Sequence, residues 1–154
     1  MIKVNVIVKN NRWKNYIKNP NNFLNNKFKK LRSNIKFLKN KKFEISIMLT
    51  GDKDMKLLNK KFRKKNKSTD VLSFPFYEKK KIDFFLKNKK NFYLGDLVVN
   101  LNKIVDKKDK NKTKTNFDTL WIHGFLHLLG SRHKSDKDHI KMNKLEKKLF
   151  KSVN

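Results

Sequence analysis

The chain is 154 residues long, which fits a single domain spanning residues 1–154, and it contains no cysteine. The lack of cysteine excludes a disulfide framework and thiolate metal sites and suits a cytoplasmic protein, and no apolar run is long enough to predict a membrane span or a signal peptide. The formal net charge of +28 favours a polyanionic partner such as nucleic acid, although lysine is spread along the whole chain and does not locate a site.

The first part of the chain predicts two strands and two helices. Valine and isoleucine over residues 2–8 are typical of a strand. Asn19 and Pro20 predict a helix start, because proline is favoured at the first helical position. An apolar stripe at steps of three and four residues follows, formed by Leu24, Phe28, Leu31, Ile35 and Leu38. Apolar residues at every second position over 43–49 predict a half-buried strand. Residues 52–63 have apolar residues along one face and predict a second helix.

The middle of the chain predicts two more strands. Residues 70–74 form a short strand pattern that ends at Pro75, and residues 93–99 form another. The connection 77–91 contains aromatic residues among its lysines but fits neither a helix nor a strand pattern. The lysine-rich run 107–114 is expected to be a solvated loop.

Two capping patterns precede the helices of the last part of the chain. Thr115 and Asp118 resemble a capping box that opens one helix, and Ser135 and Asp138 repeat the pattern before the last one. The last helix is expected to face inward through Met142, Leu145 and Leu149. Four short strands mixed with about five helices predict an α+β fold.

The segment HGFLHLLGSRH holds three of the four histidines. On a helix, His123 and His127 project from one face about a turn apart, close enough to share a metal ion. Gly130 can end the helix in a left-handed turn and allow His133 to reach the same ion. Three imidazoles and an open fourth position are typical of a catalytic zinc site. The alternative is that the histidines are hydrogen-bonded residues of a buried helix.

A glutamate beside the first histidine is the general base of zinc peptidases with an H-E-x-x-H motif. Gly124 occupies that position here. Peptide hydrolysis is therefore disfavoured, although a metal could still activate a water without that glutamate.

Three blocks of the sequence resemble the YbeY family of bacterial endoribonucleases, also called rRNA maturation factors. Residues His123–His133 follow the family pattern H-G-x-L-H-L-x-G-x-D-H at most positions. FRKKNKSTDVLSFPF, residues 62–76, is similar to its R-x-K-x-x-P-T-D-V-L-S-F-P block, and LGDLVVN, residues 94–100, is similar to its L-G-D-I-x-I strand. The blocks stand in the family's order, and the resemblance covers most of residues 43–150.

The resemblance implies a four-stranded mixed sheet with helices and a metal cleft like that of zinc peptidases. It also implies a single-strand-specific, metal-dependent endoribonuclease that acts in maturation of the 3′ end of 16S rRNA and in ribosome quality control. The expected cofactor is one Zn²⁺ per chain, held by His123, His127 and His133, although imidazole ligands suit copper, iron and nickel equally well. The expected partners are rRNA, the small ribosomal subunit and ribosome-associated proteins in the cytoplasm, with no membrane contact.

Two positions depart from the family pattern. Arg132 replaces the aspartate before the third histidine, and metal affinity would fall if that aspartate orients a ligand. Arg132 could instead contact RNA phosphate. Ser68 replaces the proline before Thr-Asp and is expected to alter only the stiffness of the loop.

The expected catalytic residues are Arg63 and His123. The chain uses lysine almost everywhere and has only four arginines, at positions 12, 32, 63 and 132, so an arginine inside a family block suggests a fork-shaped phosphate contact. The alternative for Arg63 is an ordinary surface residue at a helix end. No general base is assigned, because Asp136 and Asp138 are equally suited to cap a helix.

Two other functions remain open on the sequence alone. The first is a non-catalytic RNA-binding ribosome assembly factor with a structural metal, which the substitution at Arg132 favours. The second is a metallopeptidase, which Gly124 disfavours.

Overall fold

Four strands form one mixed sheet in the computed structural model, which describes residues 1–154. The elements in chain order are β1 (Ile2–Val8), α1 (Pro20–Asn34), β2 (Phe43–Thr50), α2 (Asp52–Arg63), β3 (Val71–Pro75), α3 (Lys79–Lys87), β4 (Phe92–Asn100), α4 (Lys110–Leu128) and α5 (Asp136–Val153). Short 3₁₀-helices lie at Asn11–Asn15, Lys36–Leu38 and Leu101–Lys103. The predicted α+β class, with four strands and five α-helices, is confirmed.

The sheet has the strand order β1-β2-β4-β3. β1 pairs with β2 and β2 with β4 in parallel, whereas β3 is antiparallel to β4. Parallel neighbours require a crossover, which α1 supplies between β1 and β2. The segment from α2 to α3 contains β3 and connects β2 to β4.

The main core lies on the face of the sheet that α1 and α4 cover. The alternating apolar residues of β2 are fully buried there, namely Phe43, Ile45, Ile47 and Leu49. Trp121 and Phe125 of α4 pack against Phe28 of α1, with ring centroids 4.9 and 5.2 Å from its own. α5 packs against α1 and α4. This packing explains why α4 is apolar nearly all round and why its histidines have fixed positions.

The other face of the sheet is covered by α2 and has a smaller core. Met55 packs there against Leu72 and Val98. The predicted helix at 52–63 is confirmed, and the helix ends in a left-handed residue, Lys64, with φ of 56°. No helix combines the length and the apolar character that crossing a membrane would require.

The predicted capping box at Thr115 and Asp118 is wrong. α4 begins at Lys110, because the Asp109 carboxylate accepts hydrogen bonds from the backbone N–H groups of Asn111 and Lys112. Much of the expected loop 107–114 is therefore the first turn of α4. Asp118 lies inside the helix, where it is buried and accepts hydrogen bonds from Lys27 Nζ at 2.7 Å and from Trp121 Nε1 at 2.8 Å.

Other boundaries also differ from the sequence prediction. The unassigned segment 77–91 contains α3, with Ile82 as its buried residue. α1 ends at Asn34, because Ile35 is extended, and the apolar stripe continues into the following 3₁₀-helix, where Leu38 is still buried. The predicted cap at Ser135 is confirmed, since its side chain accepts from the Asp138 N–H.

Ser68 does more than set the stiffness of its loop. Its hydroxyl donates to Asp52 Oδ1 over 2.7 Å. Asn100 Nδ2 donates to the same carboxylate at 2.7 Å and to Ser68 Oγ at 2.8 Å. These bonds join the start of α2, the loop before β3 and the end of β4.

Candidate metal centre and adjoining cleft

Three histidine rings meet at the carboxyl end of α4. His123 and His127 lie one turn apart, with ring centroids separated by 4.6 Å. The His133 ring is 5.2 Å from that of His123 and 4.9 Å from that of His127. Each ring offers a nitrogen, and these three nitrogens lie within 4.8 Å of one another. The predicted cluster is thus present in the structure.

Gly130 makes the turn that brings His133 back. Its φ is +91°, in the left-handed region that favours glycine. Its N–H donates to the His127 carbonyl over 2.9 Å, and the Ser131 N–H donates to the Leu126 carbonyl over 3.0 Å. A Cβ at this position would also lie 2.8 Å from Lys79 Cγ. Both backbone conformation and space therefore require glycine here.

Gly124 is required for a different reason. A Cβ at this position would lie 2.9 Å from Leu97 Cδ2 and 3.1 Å from Ser73 Oγ, since α4 packs directly on β3 and β4. The Ser73 hydroxyl also donates to the Gly124 carbonyl over 3.3 Å. A glutamate like that of zinc peptidases does not fit at this position.

The outer nitrogens of His123 and His127 are both held by hydrogen-bond acceptors. His127 Nδ1 lies 2.9 Å from the Ser131 carbonyl, which can only accept, so this nitrogen carries the proton. His123 Nδ1 lies 2.5 Å from Glu146 Oε1 of α5, and the carboxylate holds its proton in the same way. In the neutral rings, both Nε2 atoms then present lone pairs.

The two Nε2 atoms face each other at 3.0 Å. Two lone pairs at that distance repel unless a cation lies between them. Burial lowers the pKa of His127, and the neighbouring His123 lowers it further, so protonation of this ring is disfavoured. A divalent metal satisfies both lone pairs at once, and imidazole nitrogens with outer carbonyl and carboxylate partners are typical of metal ligands. The donor set therefore fits a metal ion.

Sequence reasoning missed two residues of this centre. Glu146 lies between Met142 and Leu149 on the inward stripe of α5, and an acidic residue on an apolar face was the signal that could have found it. His139, the fourth histidine, lies on the first turns of α5, with its Nδ1 3.2 Å from His133 Nδ1. Asp136 and Asp138 form the first turn of α5.

A cleft of about 600 Å³ opens beside His127. Its basic lining comes from Arg63 at the end of α2, Lys79 at the start of α3 and Arg132 in the loop before α5. The structure thus places Arg63 and Arg132 on the same cleft as His127, although they are 69 positions apart in sequence. Glu78 is the one carboxylate in the lining. Both arginines are exposed and make no salt bridge. They are free to meet an anion.

The cleft also has an aromatic wall. Phe76 is 61% exposed. Its ring packs nearly perpendicular to those of Tyr77 and Tyr93, at centroid distances of 4.9 and 5.6 Å. The Tyr93 hydroxyl is itself bonded to Asp96 and Ser46. Phe76 is therefore a fixed, accessible aromatic surface beside three cations.

Comparisons with known proteins find relatives that match nearly the whole chain. Residues 7–154 match the family model described as "Endoribonuclease YbeY". A protein of that name from Pelagibacter ubique is 41% identical over an alignment of 157 positions, which covers 99% of this chain and 97% of that protein. One from Ehrlichia canis is 34% identical and covers 97% and 91%, respectively. A solution structure of a Thermotoga maritima protein, 22% identical, has a similar fold, with a TM-score of 0.59 over 99% of this chain and 89% of that one.

Proposed function

This chain belongs to the endoribonuclease YbeY family, which makes it an RNA-cutting hydrolase with a role in rRNA processing, and we propose that residues 1–154 form one metal-dependent domain that cuts unpaired RNA. The observation that carries the proposal is the pair of facing Nε2 atoms, 3.0 Å apart, of which that of His127 belongs to a residue lining the cleft with Arg63, Lys79 and Arg132.

His123, His127 and His133 hold the ion, one per chain, and zinc suits a set of three imidazoles. When bound, the ion supplies Lewis acidity toward a phosphoryl oxygen or a water molecule. Glu146 fixes the His123 ring and the Ser131 carbonyl fixes the His127 ring, so each ring keeps Nε2 turned to the shared position. His123 thus contributes to catalysis as a ligand.

Arg63 binds the phosphate that reacts. Its guanidinium can donate two parallel hydrogen bonds to phosphate oxygens, and it stabilises the negative charge that grows on them during cleavage. Lys79 and Arg132 line the same cleft and hold neighbouring phosphates of the strand. Phosphate contacts give affinity without sequence preference.

Phe76 accounts for a preference for single strands. An exposed aromatic ring next to a basic groove is the arrangement on which unpaired bases stack. A base inside a duplex has no free face to offer to such a ring. Stacking on Phe76 would therefore favour unpaired RNA at the metal centre.

We propose the single-stranded 3′ end of 16S rRNA in the small ribosomal subunit as the substrate, which the family resemblance implies. The net charge of +28 supports association with a large RNA-rich particle. Action on ribosomes would place the protein in the cytoplasm, in contact with ribosome-associated proteins, and would suit a role in ribosome quality control.

A second candidate is a non-catalytic assembly factor in which the metal is structural. Arg132 favours it, because this exposed cation on the cleft suits RNA binding and cannot accept a hydrogen bond from a ligand histidine. Cleavage assays separate the two functions.

The test uses metal-loaded protein with an RNA hairpin that carries an unpaired 3′ extension. We expect cleavage within the extension, its loss on chelation and its return when metal is restored. The control is His127→Ala protein purified in parallel, which detects a contaminating nuclease. Chelation-sensitive binding without cleavage would support the assembly factor, and digestion of casein would support a peptidase.

A further inference from the structure

His139 stands beside the third histidine of the cluster. Its Nδ1 lies 3.2 Å from His133 Nδ1, and the ring centroids are 5.2 Å apart. This is the only hydrogen bond that the His133 ring makes in the structure. Since two nitrogens face each other at this distance, one of them donates and the other accepts.

We propose that His139 is a positioning residue that accepts the Nδ1 proton of His133 and thereby turns the His133 Nε2 toward the metal. This inference rests on the proposed metal site. It assigns a role to the one histidine that the metal-ligand set does not include.

The other two ligands show the same arrangement. His123 Nδ1 faces Glu146, and His127 Nδ1 faces the Ser131 carbonyl. With His139 as the third acceptor, each ring has its Nδ1 engaged by a different residue and its Nε2 left for the ion. A ligand whose second nitrogen is held keeps its tautomer and orientation, which increases metal affinity.

The neighbourhood of His133 explains why an acceptor is needed from α5. The side chain of the adjacent residue, Arg132, has only donors. Neither Asp136 nor Asp138 makes a hydrogen bond to the His133 ring. His133 is also the exposed member of the cluster, so packing alone fixes its ring less than the rings of the other two.

Two substitutions of His139 distinguish the loss of a hydrogen-bond acceptor from a change in the size of the side chain. In asparagine, Oδ1 stands the same number of bonds from Cα as histidine Nδ1 does, so His139→Asn keeps a neutral acceptor at that place. His139→Leu keeps the branching and removes the acceptor. Lys137→Leu is the matched control, because Lys137 lies on the same exposed turn and its side chain makes no salt bridge.

The experiment titrates Zn²⁺ into each full-length apoprotein in competition with a chromogenic chelator. We expect His139→Leu to bind Zn²⁺ about ten-fold more weakly than wild type. This is the smaller end of the loss in metal affinity that usually follows when the hydrogen-bond partner of a ligand histidine is replaced. His139→Asn and Lys137→Leu should stay within about threefold of wild type. Apoprotein melting temperatures check that all variants are folded, which is expected because His139 is exposed.

A second readout follows the tautomer of His133 directly. In ¹⁵N spectra of the metal-free protein, wild type and His139→Asn should hold the proton on His133 Nδ1, whereas His139→Leu should show a mixture of tautomers.

Three results would overturn the inference. They are wild-type affinity in His139→Leu, equal weakness in His139→Asn and His139→Leu, or a Co²⁺ spectrum that loses one nitrogen ligand in His139→Asn, which would make His139 a ligand. If wild type bound no metal, the proposed metal site itself would fail, and this inference would fail with it.

Discussion

At the scale of single residues, the metal centre depends on the hydrogen-bond acceptor that each imidazole contacts through its outer nitrogen. The helical spacing of His123 and His127 sets the distance between their rings, but Glu146 and the Ser131 carbonyl decide which nitrogen faces inward. The two ligands on α4 and the left-handed turn at Gly130 could be predicted from the sequence. Glu146 could not, because it lies 23 positions after His123 and no local pattern connects them.

The arginine at position 63 offers a test of phosphate recognition. Arg63→Lys keeps the charge but loses the planar fork, so we expect RNA binding to be retained and single-turnover cleavage to fall roughly ten-fold. Arg63 is exposed, and its substitution should leave the melting temperature unchanged. Arg12→Lys, on a 3₁₀-helix outside the cleft, is the matched control. Unchanged cleavage in Arg63→Lys would show that a positive charge suffices.

At the scale of elements, α4 is the helix on which the site depends, and an ion pair between the buried Asp118 and the partly buried Lys27 fixes its position. Lys27 of α1 contacts Asp118 with side chains that are 14% and 2% exposed, respectively. Lys27 also donates to Asn154 Oδ1 over 2.8 Å, so the pair joins α1, α4 and the end of the chain. The capping pattern at Thr115 and Asp118 was misleading because acidic residues suit caps and buried pairs alike, and only tertiary contacts distinguish them.

Stability measurements should distinguish a buried pair from a cap. We expect Asp118→Ala to lower the free energy of unfolding by about 3 kcal/mol, since it leaves the Lys27 charge and the Trp121 N–H without their partner. Loss of a helix cap would cost only about 1 kcal/mol. Thr115→Ala should change stability by less than about 0.5 kcal/mol, because its hydroxyl only bonds the Asn111 carbonyl of its own helix. Urea unfolding measures both, and equal effects would contradict the structural role assigned to Asp118.

The ionisation of Asp52, at the start of α2, is expected to make the stability of the fold depend on pH. Hydrogen bonds from Asn100 and then Ser68 lower the pKa of Asp52 below its ordinary value of 3.8. A carboxyl group with a depressed pKa in the folded protein stabilises it above the unfolded value and loses that contribution as the pH falls through the folded one. Asp52→Asn should therefore be less stable than wild type at pH 7, and the difference should shrink below pH 3.8.

Urea unfolding midpoints of wild type and Asp52→Asn across this range measure the effect. Asp109→Asn is an informative comparison, since that carboxylate caps α4 and takes no part in the bonds around Asp52. A constant difference between wild type and Asp52→Asn at all pH values would show that ionisation of Asp52 contributes nothing.

At the scale of the whole molecule, the sheet serves to bring distant segments to one cleft. The antiparallel placement of β3 beside β4 sets Ser73 against Gly124. The end of α2 and the start of α3 then supply Arg63 and Lys79 to the cleft that His127 of α4 also lines. Periodicity predicted the strands and most helices, since burial on one face leaves a regular pattern. It did not predict the strand order or α3, whose short pattern of Ile82, Phe84 and Phe85 is obscured by lysines.

The central claim is that His123, His127 and His133 bind one metal ion. The most direct measurement is the metal content of the purified protein by elemental analysis, after reconstitution with Zn²⁺ and removal of free ion, for wild type beside His127→Ala. Two imidazoles hold an ion poorly, so wild type should retain about one Zn²⁺ per chain and His127→Ala should retain almost none. Full occupancy in His127→Ala would contradict the site.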